Sequence, residues 1–298
     1  MPIQFSQVVA AQARGQSGLS LNAIDLHQLG GRASPIAVLD HFRVRGRPFP
    51  PHPHAGFSAV TYVFEDSRAG LRSRDSLGDD VVVGPGGIVW THAGRGVIHE
   101  ELPADNDREL HGLQIFVNLS SKNKLTAPQM LRLASSEVPE WRSDAGDRVR
   151  VVVGSFEAIS SPLVPVEPFN LFDVELRHQI SFDIEDSHNT LVYVVDGAVR
   201  VRADGRAQTV PGKHAVALYG DTGRASIEAH HPAHVIILSG AEIRESVVVN
   251  GPFMMNNRSQ IDGAVAGYQT GQMGNLGPAS DTPDAIEDLR ERGSTKPI

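Results

Sequence analysis

The feature of this chain that most restricts its fold is a succession of short apolar runs, rich in Val, Ile, Phe and Tyr, which Gly, Pro and Asp interrupt at short intervals. Before Arg244, few stretches carry apolar residues three and four apart over several turns, as an amphipathic helix would. Short β-branched and aromatic runs bounded by turn residues are typical of strands. The sequence therefore predicts an all-β protein.

The clearest strand candidates are regularly spaced, and turn signals such as Asp196-Gly197 and Asp204-Gly205 separate some of them. This spacing is typical of a β-sandwich or a β-barrel. The candidates are residues 59–64, 80–83, 88–91, 113–118, 149–153, 191–195, 198–203, 215–219 and 235–239.

The chain has 298 residues, about twice the usual length of one domain. Residues 120–147 are polar and contain two prolines, so this segment is interpreted as a connection between two β units. Each half has a Pro-Gly turn between strands, at Pro85-Gly86 and Pro211-Gly212, which suggests a duplicated barrel. The predicted units are a first domain over residues 1–135, a second domain over residues 146–250 and a tail over residues 251–298.

After Arg244 the pattern changes, because Ile261, Val265 and Tyr268 are spaced four and three apart and would share one helical face. The sequence thus predicts a short helix in the tail. A second candidate helix covers residues 284–292 in the polar C-terminal segment.

Composition excludes several classes of function. The chain has no cysteine, so disulfides, thiolate metal sites and cysteine nucleophiles are ruled out. A formal net charge of −8 argues against direct binding to nucleic acid, which needs a basic surface. The longest apolar runs are too short to cross a bilayer, and the N-terminus does not resemble a secretory signal. We therefore expect no membrane association and a cytoplasmic location.

Two pairs of metal-ligating residues share the same spacing. His52 and His54 are two residues apart, and so are His99 and Glu101, so each pair would project from one face of a strand. Facing each other across a barrel, the pairs would place three imidazoles and one carboxylate around a common point. Glu100 is the alternative carboxylate, but its side chain is expected on the opposite face of the strand.

Ligands of this type favour a catalytic metal over a closed structural site, which would usually be tetrahedral and rich in cysteine. Four nitrogen and oxygen ligands leave one or two octahedral positions open to water, dioxygen or substrate. The donor set suits Fe²⁺, Mn²⁺, Ni²⁺, Cu²⁺ or Zn²⁺. The alternative is that the spacing is a coincidence, since two histidines two residues apart are common in proteins that bind no metal there. The second pair, His99 and Glu101, favours a metal site.

Several motifs in order resemble the pirin family of the cupin superfamily. They are DHFRVRGRPFPPHPHAGFSAVTYVFE, RDSLG, PGGIVWTHAGRGVIHEELP, HGLQIFVNL and, near the C-terminus, GPFMMN. The resemblance implies two cupin barrels packed face to face, with the metal in the N-terminal barrel only and a tail that helps to join them. It places the family's ligands at His52, His54, His99 and Glu101, which are the same residues that the alternation selected.

The resemblance implies an oxidoreductase similar to quercetin 2,3-dioxygenase. Such an enzyme would open a flavonol-like enolic aromatic with O₂ at one divalent metal, with Fe²⁺ preferred and Mn, Ni, Cu or Zn as alternatives. The catalytic residues would be the four metal ligands. The alternative reading is a non-enzymatic, metal- or redox-responsive regulator that binds a protein partner. A zinc hydrolase is a third and less favoured reading.

The chain departs from the family pattern near the expected site. Ala55 and Ser58 replace an Arg and a Glu found in many members, which is expected to change the polarity and substrate choice of the pocket while leaving metal binding in place. His92 replaces a small hydroxyl residue. It is interpreted either as an additional hydrogen-bonding or acid–base group beside the site or as a solvated loop histidine.

Other residues carry weaker hypotheses. Asp75 and Arg95 either support the ligands or are solvated turn residues, Trp90 and Phe116 either line a pocket for a flat aromatic substrate or pack in a core, and His111 could face the cavity. The histidines of the second half do not form two matched pairs, so the second barrel is expected to bind no metal. They are His188, His214, His230, His231 and His234.

Overall fold

The structure, a computed structural model, describes residues 2–47, 49–277 and 279. Strands dominate this part of the chain, together with one α-helix, α1 (Arg258–Gln269), and short 3₁₀ helices at Leu26–Leu29 and Ser135–Glu137. The strands are β1 (Gln4–Phe5), β2 (Val9–Ala10), β3 (Gln12–Gln16), β4 (Leu19–Ala23), β5 (Ile36–Val44), β6 (His52–His54), β7 (Phe57–Val63), β8 (Leu71–Asp75), β9 (Asp80–Val83), β10 (Ile88–His92), β11 (Val97–Pro103), β12 (Leu110–Asn118), β13 (Gln129–Leu133), β14 (Glu140–Arg142), β15 (Arg148–Val153), β16 (Ser155–Phe156), β17 (Ile159–Ser160), β18 (Phe169–Leu176), β19 (Gln179–Ile184), β20 (His188–Asp196), β21 (Ala198–Ala203), β22 (Arg206–Pro211), β23 (His214–Tyr219), β24 (Gly223–Glu228), β25 (Ala233–Ala241), β26 (Val248–Asn250) and β27 (Phe253–Met255).

Most of the strands form two barrels, each built from one large and one small antiparallel sheet, while β16 with β17 and β26 with β27 form separate two-stranded sheets. In the first barrel the large sheet has the order β13-β10-β7-β12-β5-β4-β3, and the small sheet has the order β6-β11-β8-β9. In the second barrel the large sheet runs β1-β23-β20-β25-β18-β15-β14, with β2 also paired to β23, and the small sheet runs β19-β24-β21-β22. The all-β prediction and all nine predicted strands are confirmed.

The two large sheets pack against each other, so central strands such as β7 are buried on both faces. Every residue of β7 is buried: Val63 belongs to the core inside the first barrel, whereas Val60 and Tyr62 belong to a core shared by both barrels. The second barrel contributes residues such as Leu191 and Ile236 to this shared core. The barrels are therefore packed face to face, as predicted.

The second barrel takes two strands from the N-terminal half of the chain. β1 and β2, at the N-terminus, pair with β23 of the second barrel. The connection between the halves is ordered, because β13 extends the large sheet of the first barrel and β14 extends that of the second. The domain limits 1–135, 146–250 and 251–298 stay a prediction.

A chain of hydrogen bonds crosses the interface between the barrels. The Nδ1 of His41 lies 2.9 Å from the Tyr193 hydroxyl, and its Nε2 lies 2.7 Å from Nε2 of His111. His111 Nδ1 lies 2.6 Å from Oδ1 of Asp66. One set of neutral tautomers satisfies all three contacts: Tyr193 donates to His41, His41 donates to His111, and His111 donates to Asp66.

A second polar cluster lies in the same interface and joins the barrels directly. Tyr62 of the first barrel donates to Oδ2 of Asp173 in the second at 2.6 Å, and Arg150 donates to the Tyr62 hydroxyl at 2.7 Å. Asp173 Oδ1 lies 2.5 Å from Nε2 of His234. Burial raises the pKa of Asp173, but His234, Tyr62 and Arg150 together hold it below its ordinary value. The carboxylate is thus charged and fully paired.

We expect the metal-free protein to lose stability as the pH falls below about 6.5, the ordinary pKa of histidine. Burial, together with the neighbouring Lys213 and His111, lowers the pKa of His41 to about 2. Between these two values the unfolded chain binds a proton that the folded chain does not. Each such histidine therefore removes about 1.4 kcal/mol of unfolding free energy per pH unit.

Urea unfolding of the metal-free protein at several pH values between 7 and 5 would measure this slope. In the His41→Gln variant, the unfolding free energy should fall less steeply with decreasing pH than in the wild type. The difference in slope should correspond to at most one bound proton, whatever the stability of the variant at neutral pH. An exposed histidine, His178, provides the control, since His178→Gln should leave the slope unchanged. An unaltered slope in His41→Gln would contradict the prediction.

The tail returns to the first barrel and packs beside β6. Its helix is confirmed: Asn257 caps the N-terminus of α1 by accepting from the Gln260 amide at 3.0 Å, and Ile261 is fully buried. Tyr268 was expected on the same buried face but is exposed. The predicted helix over residues 284–292 lies outside the described residues. No helix in the described part of the chain is long and apolar enough to span a bilayer.

Candidate metal centre

The four predicted ligands lie on two short neighbouring strands of the small sheet in the first barrel. In the antiparallel pairing of β6 with β11, His52 lies opposite His99 and His54 lies opposite Val97. The strands are hydrogen-bonded neighbours, whereas the sequence interpretation placed them across the barrel. Alternation along each strand still turns His52, His54 and His99 to one side.

The three histidines converge closely enough to share one ion. Their ligand atoms all lie within 4.8 Å of one another, and Nε2 of His52 is 3.2 Å from Nε2 of His99. Nδ1 of His52 lies 2.9 Å from the carbonyl oxygen of Pro50, which fixes the tautomer that leaves Nε2 free for a metal. This is the only such group within residues 2–47, 49–277 and 279.

The buried imidazoles are held in the form that binds metal. Burial, with the neighbouring His52, lowers the pKa of His54 to about 3. Burial, with His54 and His52, also lowers the pKa of His99 well below its ordinary value. Metal ligation requires neutral imidazole, so these two side chains need no deprotonation at neutral pH.

Glu101 faces the same cavity as the histidines, while Glu100 faces away. The Thr61 hydroxyl donates to Oε2 of Glu101 at 2.5 Å, and Arg74 forms an ion pair with Glu100 at 2.9 Å. Burial raises the pKa of Glu101 to about 7, and the Thr61 hydrogen bond offsets this only in part. Oε1 of Glu101 is buried without any hydrogen-bond partner among the described residues.

These side chains fit a divalent metal ion. An isolated buried carboxylate is unfavourable unless a cation or hydrogen bonds compensate it, and the unpartnered Oε1 of Glu101 lies on the cavity that the three imidazoles line. Three neutral imidazoles and one carboxylate are the donors that transition metals of this series accept. The three histidines therefore form the candidate centre, and Glu101, which lines the same cavity, stays the predicted fourth ligand.

The centre opens on a cavity of about 230 Å³ inside the first barrel. Its wall is mainly apolar, with a polar row formed by Thr61, Gln114 and Asp40 on three adjacent strands of the large sheet. Phe116 covers one side of the centre, where its ring lies 5.4 Å from that of His54. The other apolar lining residues are Leu19, Leu21, Phe42, Val44, Phe49, Leu71 and Leu110.

Comparison with known proteins gives the family. Residues 20–117 match the family model described as Pirin, and residues 171–274 match the model described as Pirin C-terminal cupin domain. Human pirin is 32% identical over 248 residues, which is 80% of this chain and 83% of that protein. The chain belongs to the pirin family. The two barrels are therefore cupin domains, as the sequence motifs implied.

Other relatives and structures carry enzyme names or a metal. A Pseudomonas aeruginosa protein, provisionally named quercetin 2,3-dioxygenase, is 31% identical over 255 residues, 80% of this chain and 87% of that protein. The crystal structure of quercetin 2,3-dioxygenase from Acinetobacter baumannii matches with a TM-score of 0.80 at 25% identity, covering 93% of this chain and 100% of that chain. An Escherichia coli pirin in complex with nickel(II) shares the fold, with a TM-score of 0.62 at 17% identity, covering 80% of this chain and 100% of that chain.

The three departures from the pirin pattern do not line the metal cavity. Ala55 is completely buried against the tail, in a cluster with Phe253 and Met255. Ser58 and His92 are paired across β7 and β10, and Nε2 of His92 lies 2.8 Å from the Thr126 hydroxyl oxygen. An effect of these residues on substrate choice would therefore be indirect and stays a prediction. His92 is buried, so its interpretation as a solvated loop residue is wrong.

Of the weaker candidates, only Phe116 lines the cavity. Asp75 is buried and accepts from the backbone amides of Leu77 and Asp79, so it shapes the turn after β8. Arg95 is exposed. Trp90 and His111 lie in the interface between the barrels, as described for the shared core and the hydrogen-bond chain. The structure thus assigns these four residues to folding contacts or to solvent.

Sequence reasoning missed Lys124, which fixes the ligand segment of this pirin to the tail. Its buried Nζ donates to the carbonyl oxygens of Gly56 and Met254 at 2.8 and 3.0 Å and to Oδ1 of Asn118 at 2.6 Å. Gly56 has a φ of +84°, and a Cβ there would come within 1.9 Å of the Met254 oxygen. The HPH segment is therefore held against the GPFMM segment. Nothing in the polar sequence around Lys124 signals this role.

Proposed function

We propose that this pirin is a metal-dependent dioxygenase that opens a flavonol-like, quercetin-like enolic aromatic with O₂. The observation that carries the proposal is the convergence of His52, His54 and His99 at the wall of an apolar cavity. Glu101, whose buried Oε1 has no hydrogen-bond partner among the described residues, lines the same cavity. The names of the Pseudomonas and Acinetobacter proteins support the substrate class. Fe²⁺ is the proposed metal, with Mn, Ni, Cu or Zn as alternatives.

The roles of the chain's own residues follow from their positions. His52, His54, His99 and Glu101 would hold the metal, which when bound acts as a Lewis acid toward the enolic oxygen of the substrate. Thr61 orients the Glu101 carboxylate by its hydrogen bond, and Pro50 orients the His52 ring.

The cavity walls supply the remaining requirement, which is a dry and shaped site. Phe42, Leu110 and Phe116 line the cavity, so a flat aromatic ring can displace water and pack against apolar side chains. Exclusion of water strengthens the electrostatic interactions at the centre. The apolar wall therefore favours an aromatic substrate over a sugar or another strongly hydrated molecule.

Oxygen uptake with quercetin tests the proposal. The metal-free protein would be loaded in turn with Fe²⁺, Mn²⁺, Ni²⁺, Cu²⁺ and Zn²⁺, and O₂ consumption would be compared with that of free metal and of unloaded protein. We expect uptake with at least one redox-active metal and none without metal. If metal binds but no loaded form consumes O₂, the dioxygenase proposal fails and the non-enzymatic regulator becomes the better reading.

Cytoplasmic location and the lack of nucleic-acid binding stay predictions.

A further inference from the structure

The metal cavity is small for a molecule with several rings, but a larger groove adjoins it. Sites for drug-sized ligands usually measure about 300–1,000 Å³, and the metal cavity measures about 230 Å³. The groove measures about 820 Å³ and runs between the first barrel and the tail. Asp40 and Phe116 line both spaces. These two residues therefore form the boundary between the cavity and the groove.

The cavity and the groove lie along one continuous face of the large sheet. Asp40 and Val38 are two apart on β5, opposite Gln114 and Phe116 of β12, so all four side chains share that face. Gln114 lines the cavity only, Val38 lines the groove only, and Asp40 and Phe116 lie between them. A flat molecule that extends past Phe116 would leave the cavity and enter the groove along the same face.

Asp40 is an unpaired acceptor at this boundary. Within residues 2–47, 49–277 and 279 its carboxylate has no hydrogen-bond or ion-pair partner, although the side chain is partly buried. Burial raises the pKa of Asp40, and the charge of Arg14 opposes this shift. Neither oxygen of Asp40 is among the buried atoms without a partner, so both can be reached by a ligand in the cavity or the groove. A phenolic hydroxyl is a donor that suits this carboxylate.

We propose that the cavity and the groove form one elongated site for an aryl-substituted enolic compound. The enolic ring lies at the histidines, the outer aryl ring extends past Phe116 into the groove, and a hydroxyl on the outer ring donates to Asp40. Asp40 is then a specificity-determining residue. The inference rests on the proposed function for the identity of the enolic ring, and it adds the binding site of the outer ring.

Ligand affinities measured without turnover test this inference. The zinc-loaded protein would be titrated under nitrogen with quercetin, galangin and maltol. Galangin has the same fused rings as quercetin but no hydroxyl on the outer ring, and maltol is a single enolic ring. We expect Asp40→Leu to weaken quercetin binding by about tenfold or more and to change galangin binding little. The matched control is Asp183→Leu in the second barrel, an exposed residue that should change neither affinity.

A second variant tests the groove without relying on Asp40. Val38→Trp would fill the groove beyond Phe116, so we expect the ratio of quercetin affinity to maltol affinity to fall by about tenfold or more. The inference is overturned if Asp40→Leu affects quercetin and galangin equally, or if Val38→Trp leaves the ratio unchanged. These affinities do not depend on O₂ uptake, so a protein that discriminates as expected but consumes no O₂ refutes the dioxygenase and keeps the elongated site.

Discussion

Replacing His54 with alanine is expected to reduce metal affinity by more than about 100-fold, because losing even an outer partner of a ligand costs about 10–100-fold. His54 is buried, and its ring lies 4.7 Å from that of His52 and 4.6 Å from that of His99. The Glu101→Gln variant keeps the shape of the side chain but removes its charge. It should also bind metal more weakly, since a carboxylate neutralises a divalent ion and an amide does not.

Elemental analysis of purified protein, followed by competition with a chelator, would measure both effects. The matched control is His178→Ala, which removes an exposed histidine of the second barrel and should leave the metal content at the wild-type level. Far-ultraviolet circular dichroism would show whether each variant is folded. If His54→Ala and Glu101→Gln both retain the full metal content, the proposed ligand set is wrong.

Replacing Asp173 with alanine is expected to lower the unfolding free energy by about 3–5 kcal/mol, the cost of removing one partner from a buried charged pair. Asp173 accepts from Tyr62 of the opposite barrel and contacts His234, while Arg150, 1% exposed, donates to the same Tyr62 hydroxyl. Without Asp173, the positive charge of Arg150 stays buried with less compensation. The two barrels should therefore separate more easily.

Urea unfolding at pH 7 would measure the loss, with Asp173→Asn as a second variant that preserves the volume of the side chain. An exposed aspartate in the small sheet of the same barrel, Asp183 on β19, supplies the control, and Asp183→Ala should change stability by less than about 0.5 kcal/mol. A loss below about 1 kcal/mol in Asp173→Ala would show that the cluster contributes specificity of packing but little stability.

Local sequence patterns predicted which histidines converge, because alternation along a strand acts over a few residues. Residues two apart on a strand share a face, so the pairs in HPH and HEE already define which side chains project together. The same alternation separated Glu101, which faces the cavity, from Glu100, which pairs with Arg74. It could not show that the two ligand strands are neighbours, since strand pairing depends on contacts between distant parts of the chain.

The residues around the predicted ligands were harder to place for the same reason. Ala55 lies next to a ligand in sequence, yet alternation turns its side chain to the tail, whose position no local pattern gives. Lys124 lies far in sequence from Gly56, which follows the HPH segment, and bonds the carbonyl oxygen of Gly56 only because the connecting segment folds back over it. Asp40 is one acidic residue among many until β5 pairs with β12 and brings it to the edge of the cavity.

The sequence by itself determined the all-β class, the positions of nine strands, the tail helix and the side-chain pairs that can ligate a metal, since periodicity and turn chemistry are local properties. Only the tertiary structure decided that β1 and β2 join the second barrel, that His41, His111 and Asp173 lie in the interface, and that Phe116 separates a cavity from a groove. These features arise from the pairing of distant strands and the packing of two large sheets. Such contacts depend on complementary shape and buried polar partners across the whole molecule.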